Sequence, residues 1–248
     1  MSFLFEAALN WISDLRKSPI KCVEIGNKGD YVVLIHALVK CSWGMYKLEK
    51  SLASEGYEVI NPSYLTRKYN IEDLAQKFLE KTLRKFCTDP KKKIHFVTHS
   101  LGAIIVRKYL ETNSRLNIGR IVMIAPPNRG SEFADFLKSN FFTKKLYKII
   151  FGPVGLQLGA RKNSYVNTRL EKTIKYETGV IAGNYCLNPF APFFIKGAND
   201  GLVSVSSTKI KGMKDHITLP CGHKFIISSE ECLNQVSYFL NYGHFYHR

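Results

Sequence analysis

The stretch Ile94-His-Phe-Val-Thr-His-Ser100-Leu-Gly102-Ala-Ile-Ile-Val-Arg-Lys-Tyr-Leu110 constrains this chain more than any other. An apolar run reaches a serine held between small residues, and a helical pattern follows at once. Such a pattern encodes a strand that turns sharply into a helix, with a hydroxyl exposed on the bend. The amides at the start of that helix face the position where negative charge would develop on a substrate. A serine that merely caps a helix would explain Ser100, but not the residues that follow downstream.

Two later segments supply partners for a hydroxyl. Asn199-Asp200-Gly201 is a turn, and Gly222-His223-Lys-Phe225 is a loop after the strand expected at His216–Leu219. His223 is the candidate general base and acid, because a glycine-containing loop can carry an imidazole over the bend. Asp200 is the candidate acid that orients it. The rivals are His216, which starts a strand, and Asp215, which the intervening strand would place at the far end from His223. His36 and His99 look like supports for loops of the same site, His95 like a surface or packing residue, and His244 and His247 like part of the tail. The backbone N–H groups of Leu101 and Leu38 are the candidate oxyanion donors, one after the serine and one in the loop after the first buried strand.

The chain between these points alternates strands and helices. Strands are expected at Tyr31–Ile35, Tyr57–Ile60, Ile118–Ile124, Tyr176–Ala182 and His216–Leu219. Helices are expected at Met45–Glu55 with Gly56 closing it, after an Asn70 cap, from Ser131 into the segment beyond, and at Glu230–Tyr242. This order predicts one α/β domain over residues 1–248, with a mostly parallel central sheet covered by helices on both faces.

Together the ordered motifs resemble the α/β-hydrolase superfamily, and more narrowly its bacterial esterases and lipases of the lipase class 2 and PGAP1-like branch. The likeness rests on Val33-Leu-Ile-His-Ala-Leu38, Val97-Thr-His-Ser-Leu-Gly102, Ala125-Pro-Pro-Asn-Arg-Gly-Ser131, Asn199-Asp-Gly-Leu-Val203 and His223-Lys-Phe225. It spans about Tyr31 to Leu240. Thr98 and Ala37 stand where the family usually has glycine, and Ala103 where a second glycine often follows Gly102. The resemblance implies cleavage of a carboxylic ester through an acyl-serine intermediate, with no metal or organic cofactor. A thioesterase or acyltransferase would use the same three residues. A non-catalytic module that binds lipid surfaces or anions is the alternative from another class.

Charge adds a second theme. The net charge is +16, and between Lys138 and Lys175 nine basic residues face Glu171 alone, so half of the excess lies in this segment. In the superfamily a cap or lid is commonly inserted here, so residues 138–175 are expected to form one. Phe142, Leu146, Ile149 and Ile150 fall on one helical stripe, with Lys144, Lys145 and Lys148 off it. That stripe either packs on the core or rests on an anionic lipid surface; the lysines are either an anion-attracting patch or a solvated face. No recognised nucleic-acid motif accompanies the charge, so the expected partner is a small acyl ester, with peripheral contact to an anionic membrane. The first eleven residues read as an amphipathic helix and not as a secretory signal. The six cysteines (22, 41, 87, 186, 221 and 232) show no metal or disulfide spacing. A cytoplasmic setting with reduced cysteines is the expectation.

Overall fold

Side-chain alternation in the strands decides the architecture. Tyr31, Val33 and Ile35 enter one apolar cluster while Val32 and Leu34 enter another, and all five are buried. A strand buried on both faces needs cover on both sides, and helices supply it. The computed structural model describes residues 21–23, 29–113, 116–186 and 189–247, so the segment read as an N-terminal amphipathic helix lies outside the described residues.

The strands are β1 (Lys21–Val23), β2 (Tyr31–Ile35), β3 (Glu58–Asn61), β4 (Ile94–His99), β5 (Ile118–Ile124), β6 (Thr178–Gly183) and β7 (Asp215–Leu219). They form one sheet in the order β1-β3-β2-β4-β5-β6-β7, in which only the pairing of β1 with β3 is antiparallel. The main helices are α1 (Tyr46–Ser54), α2 (Ile71–Asp73, a π-helical Leu74–Leu79 and Glu80–Phe86), α3 (Leu101–Thr112), α4 (Glu132–Leu137), α5 (Phe141–Gln157) and α6 (Glu230–Tyr242). α2 and α3 cover one face, with Leu74, Leu79, Leu83, Ile104 and Ile105 buried. α1 and α6 cover the other with Leu48, Leu52, Val236 and Phe239. This is the mostly parallel α/β architecture that the alternating pattern requires.

Local chemistry sets the element ends. Asn70 caps α2 by accepting from Asp73 N–H at 2.8 Å, and Gly56 follows α1 with φ +91°, a conformation that favours glycine. The helix expected to run on from Ser131 is shorter than its pattern suggests. α4 stops at Leu137, and Asn140 opens a new helix by accepting from Thr143 N–H at 2.9 Å. α5 is itself kinked at Gly152 (φ +68°), followed by Pro153.

Register brings the site to one edge. Ile35 pairs with Thr98, His99 with Ile124, Ile124 with Ile181, and Gly183 with Leu219, so the carboxyl ends of five strands line up. From β2 the sheet is extended on one side by β3 and on the other by β4. The crevice at such a reversal is where open α/β sheets place ligands, and Ser100 follows β4 there.

Candidate active site

Ser100 sits on the bend between β4 and α3 with φ 52° and ψ −115°. Positive φ is uncommon for a residue with a side chain, and the turn persists because Ser100 N–H donates to Ile124 O at 2.9 Å. Gly102 is small for a specific reason: a Cβ there would lie 2.2 Å from Ile35 O. The start of α3 therefore packs directly on the end of β2. Thr98 takes the place of a glycine without crowding, because it is fully buried in the sheet and its hydroxyl faces Val122 O at 3.4 Å.

The structure brings Ser100, His223 and Asp200 together. His223 Nε2 lies 3.0 Å from Ser100 Oγ, and His223 Nδ1 lies 2.7 Å from Asp200 Oδ2. The Asp200 side chain is fully buried. Its Oδ1 accepts from the N–H groups of Leu202 (3.0 Å) and Val203 (2.8 Å), while its backbone oxygen accepts from His223 N–H at 3.0 Å. Acid and imidazole are thus tied by main chain as well as by side chain. No strand among the described residues ends at the Asp200 turn. β6 closes at Gly183, and the chain returns to that point only at Asp200. Gly183 makes the return possible, since a Cβ on it would lie 2.9 Å from Asp200 Cβ and 2.4 Å from Cys221 O.

The rival residues lie elsewhere. Asp215 opens β7 at the opposite edge, where it accepts from Phe245 N–H at 2.7 Å and pairs with His247. His216 Nε2 meets Thr208 Oγ1 at 3.1 Å. His95 is a packing residue: it is buried, accepts from Arg120 N–H at 2.8 Å, and leaves no room for a Cβ at Gly119.

Two further histidines brace the loops. His99 Nε2 lies 3.0 Å from His223 O, so His99 donates there and fixes the imidazole loop. Burial holds its pKa well below the ordinary value, with the neighbouring His223 adding to the effect. His36 accepts from Tyr64 N–H at 3.3 Å, and its Nδ1 meets Ala37 O at 2.9 Å, while the Tyr64 hydroxyl donates to His36 O at 2.5 Å. Burial lowers the His36 pKa to about 4, so it stays neutral and keeps this bonding pattern. The loop it shapes carries Leu38. Val39 N–H is taken by Thr66 Oγ1 and Lys40 N–H by Ala37 O. The Leu38 and Leu101 amides have no such backbone partner among the described residues.

Two supports are not evident from spacing. Ser131 caps α4 and also donates to Leu202 O at 2.8 Å, bracing the turn that holds Asp200. Arg107 on α3 is buried, with its pKa lowered to about 10 by burial. It donates to Asn128 O (2.9 Å) and Glu171 O (2.8 Å), and Asn128 Nδ2 donates to Thr208 O at 2.7 Å. Ser131 and Asn128 belong to the Pro-Pro-Asn-x-Gly-Ser stretch, which was the available signal. Among the described residues no group of three or more histidine, cysteine or acidic side chains could hold a metal.

The chain has the α/β-hydrolase fold. Solved structures similar to it include the mature lipase BlEst2 of Bacillus licheniformis (TM-score 0.65, 18% identity, 90% of this chain and 97% of that one). Carboxylesterase CesB of Bacillus subtilis is also similar (0.56, 12%, 96% and 98%). Phospholipase PlaB of Legionella pneumophila matches over 72% of this chain but only 45% of its own (0.58, 18%). Comparison of the sequence with models of known families and with curated proteins gives no match. The likeness therefore reaches the α/β-hydrolase fold and not the narrower PGAP1-like branch.

Proposed function

We propose that this protein is a serine-dependent hydrolase of carboxylic esters, with lipid-like acyl esters as its substrates. The observation that carries the reading is the unbroken contact from Asp200 Oδ2 through both nitrogens of His223 to Ser100 Oγ, on a bend held at positive φ. Esterases and lipases among the structural neighbours support the reaction class.

In this reading His223 Nε2 removes the Ser100 proton as Oγ adds to the ester carbonyl. Asp200 holds the Nδ1–H tautomer and stabilises the imidazolium. The carbonyl oxygen becomes an anion that accepts from Leu101 N–H and Leu38 N–H; each such donor contributes ~2.7–4 kcal/mol to the transition state. Collapse breaks the ester C–O bond, the alcohol leaves with the proton from His223, and an acyl-serine remains. Water then gives its proton to His223, adds to the acyl carbon, and releases the acid as the proton returns to Ser100.

Residues 138–175 act as the cap. The inner face of α5 places Tyr147 and Phe151 against Val39 and Ala134, beside Leu38, so the helix covers the loop that supplies one oxyanion donor. Thioester cleavage would use the same groups and differs only in the leaving atom.

The test is turnover of short- and long-chain p-nitrophenyl esters by the wild type and by Ser100→Ala. Loss of several orders of magnitude in kcat, up to about 10⁶, is expected in the variant. Persistent turnover by the variant would remove Ser100 from the mechanism.

A further inference from the structure

We infer that the outer face of α5, together with the aromatic residues of the loop after β6, is a docking surface for an anionic lipid bilayer. The inference names a partner for the site proposed above and rests on that reading for its purpose, but the surface stands on separate observations. Of the stripe on α5 that the sequence left open, Phe142, Leu146 and Ile149 point outward, whereas Ile150 packs with the inner cluster. Phe141, Phe142, Leu146 and Ile149 are 75%, 82%, 48% and 60% exposed, while Tyr147 and Phe151 form the packed face. α5 is thus apolar on two sides. The inner side accounts for its packing, and the outer side has no partner among the described residues.

A second apolar group lies beside it. Phe190 and Phe193, on the loop after β6, are 66% and 84% exposed. Phe194 stacks on Phe136 at 4.6 Å, and Phe136, half exposed at the end of α4, leads within a few residues to Phe141. The Phe136–Phe194 stack thus joins the connection that carries α5 to the loop that carries Phe190 and Phe193, and both connections leave the carboxyl edge of the sheet. Isolated exposed apolar residues need no explanation, whereas large apolar side chains gathered on neighbouring connections mark an interaction site.

Charge selects the occupant. Lys144, Lys145 and Lys148 flank the outer stripe, and with Lys196 they make no ion pair among the described residues; Lys138, in contrast, is held by Asp135 at 3.3 Å. Three residues beyond Phe193, Lys196 lines a cleft of about 310 Å³ together with Arg129, Lys209 and Ser206. Large apolar side chains bordered by unpaired cations suit insertion among acyl chains beneath anionic head groups. A second copy of this chain would bring the same lysines against each other.

Co-sedimentation of the full chain with vesicles of phosphatidylcholine alone, or mixed equally with phosphatidylglycerol, tests the surface. The wild type and Ser100→Ala should both partition onto the mixed vesicles in preference to the neutral ones. The combined Lys144→Gln, Lys145→Gln and Lys148→Gln variant should lose about a hundredfold in partitioning onto anionic vesicles. The pair Phe142→Ser and Phe193→Ser should lose at least about tenfold. Thermal melts should match the wild type, because all five side chains are exposed. Equal partitioning onto both vesicle types, or partitioning that neither variant changes, would overturn the inference. So would a dimer dissociated by the serine pair in the absence of vesicle binding. Failure of the hydrolase reading is distinguishable: soluble esters would not be turned over while partitioning persisted.

Discussion

Asp200→Asn tests the proposed orienting acid without emptying its pocket. Oδ1 of Asp200 accepts two backbone N–H groups, from Leu202 and Val203, and Oδ2 faces His223 Nδ1 at 2.7 Å. The asparagine carbonyl must keep the position where those two amides point, so its NH₂ group falls opposite Nδ1. Two N–H groups cannot face each other there, and the ring responds by placing its proton on Nε2. That nitrogen then donates to Ser100 Oγ and cannot remove a proton from it. The side chain is fully buried, so no water can rescue the tautomer. A tautomer reversal of this kind costs ~10⁴ in kcat, or about 5 kcal/mol of transition-state stabilisation. Steady-state turnover of p-nitrophenyl acetate measures it, with KM and the melting midpoint close to wild type because the shape and the two backbone bonds survive. Asp215→Asn is the matched control and should leave kcat unchanged while loosening the C-terminal tail that Asp215 holds. Turnover by Asp200→Asn within tenfold of wild type, or an equal loss in Asp215→Asn, would refute the assignment.

Stability should fall in mild acid. His36 binds its proton near pH 4 when folded but near pH ~6.5 when unfolded, so in between the unfolded chain holds more protons and stability rises with pH. This group alone contributes about 2 kcal/mol of loss between pH ~7 and ~5, and buried His99 acts in the same direction. Urea unfolding at the two pH values measures the slope, which His36→Gln should reduce; a slope unchanged by that substitution would contradict the account. Gly102→Ala places a Cβ against the backbone oxygen of Ile35, where no side chain can rotate away. About 1–3 kcal/mol of destabilisation is expected in the same unfolding assay, with a loss of turnover as α3 backs off β2. Ala37→Gly should gain nothing, because the positive φ of that loop falls on Val39 and not on Ala37. The variant is expected to lose about 0.4–1 kcal/mol through added freedom of the unfolded chain, and a tenfold rise in turnover would show instead that the Cβ distorts the oxyanion loop.

Patterns with a definite local cause were legible in the sequence. β5 and α6 have the limits their apolar patterns give, Ile118–Ile124 and Glu230–Tyr242, because β5 is a short apolar run buried on both faces and α6 repeats one face against the core. The break between α4 and α5 was also written, in the capping residue Asn140, but the apolar residues on either side of it conceal the stop. The orientation of α5 was not legible. Its sequence carries apolar residues nearly all round, the stripe through Phe142, Leu146, Ile149 and Ile150 and a second through Tyr147 and Phe151, and periodicity cannot say which faces inward. The structure splits the first stripe, turning Ile150 to the inner side. Asp200 and His223 stood out through turn chemistry. The return of a long loop to the end of β6 did not, since it depends on the space that Gly183 leaves in three dimensions.

The backbone strain shows the same limit from the other side. Among the described residues, three with side chains have positive φ, Val39, Ser100 and Ala125, and they follow β2, β4 and β5, which are neighbours in the sheet. Each such conformation costs about 1–3 kcal/mol and survives only where its surroundings over-determine it. Val39 is the least expected, since a β-branched residue resists this region most. Its amide is anchored by Thr66 Oγ1, and its buried side chain packs with Ala134, Tyr147 and Phe151. Burying a side chain of this size contributes ~1.5–3 kcal/mol, enough to offset the strain. The residue after Leu38 is therefore held in place by the inner face of α5. That helix carries on its outer face the stripe assigned to the bilayer, so a displacement of α5 reaches the Leu38 amide through a single packed side chain.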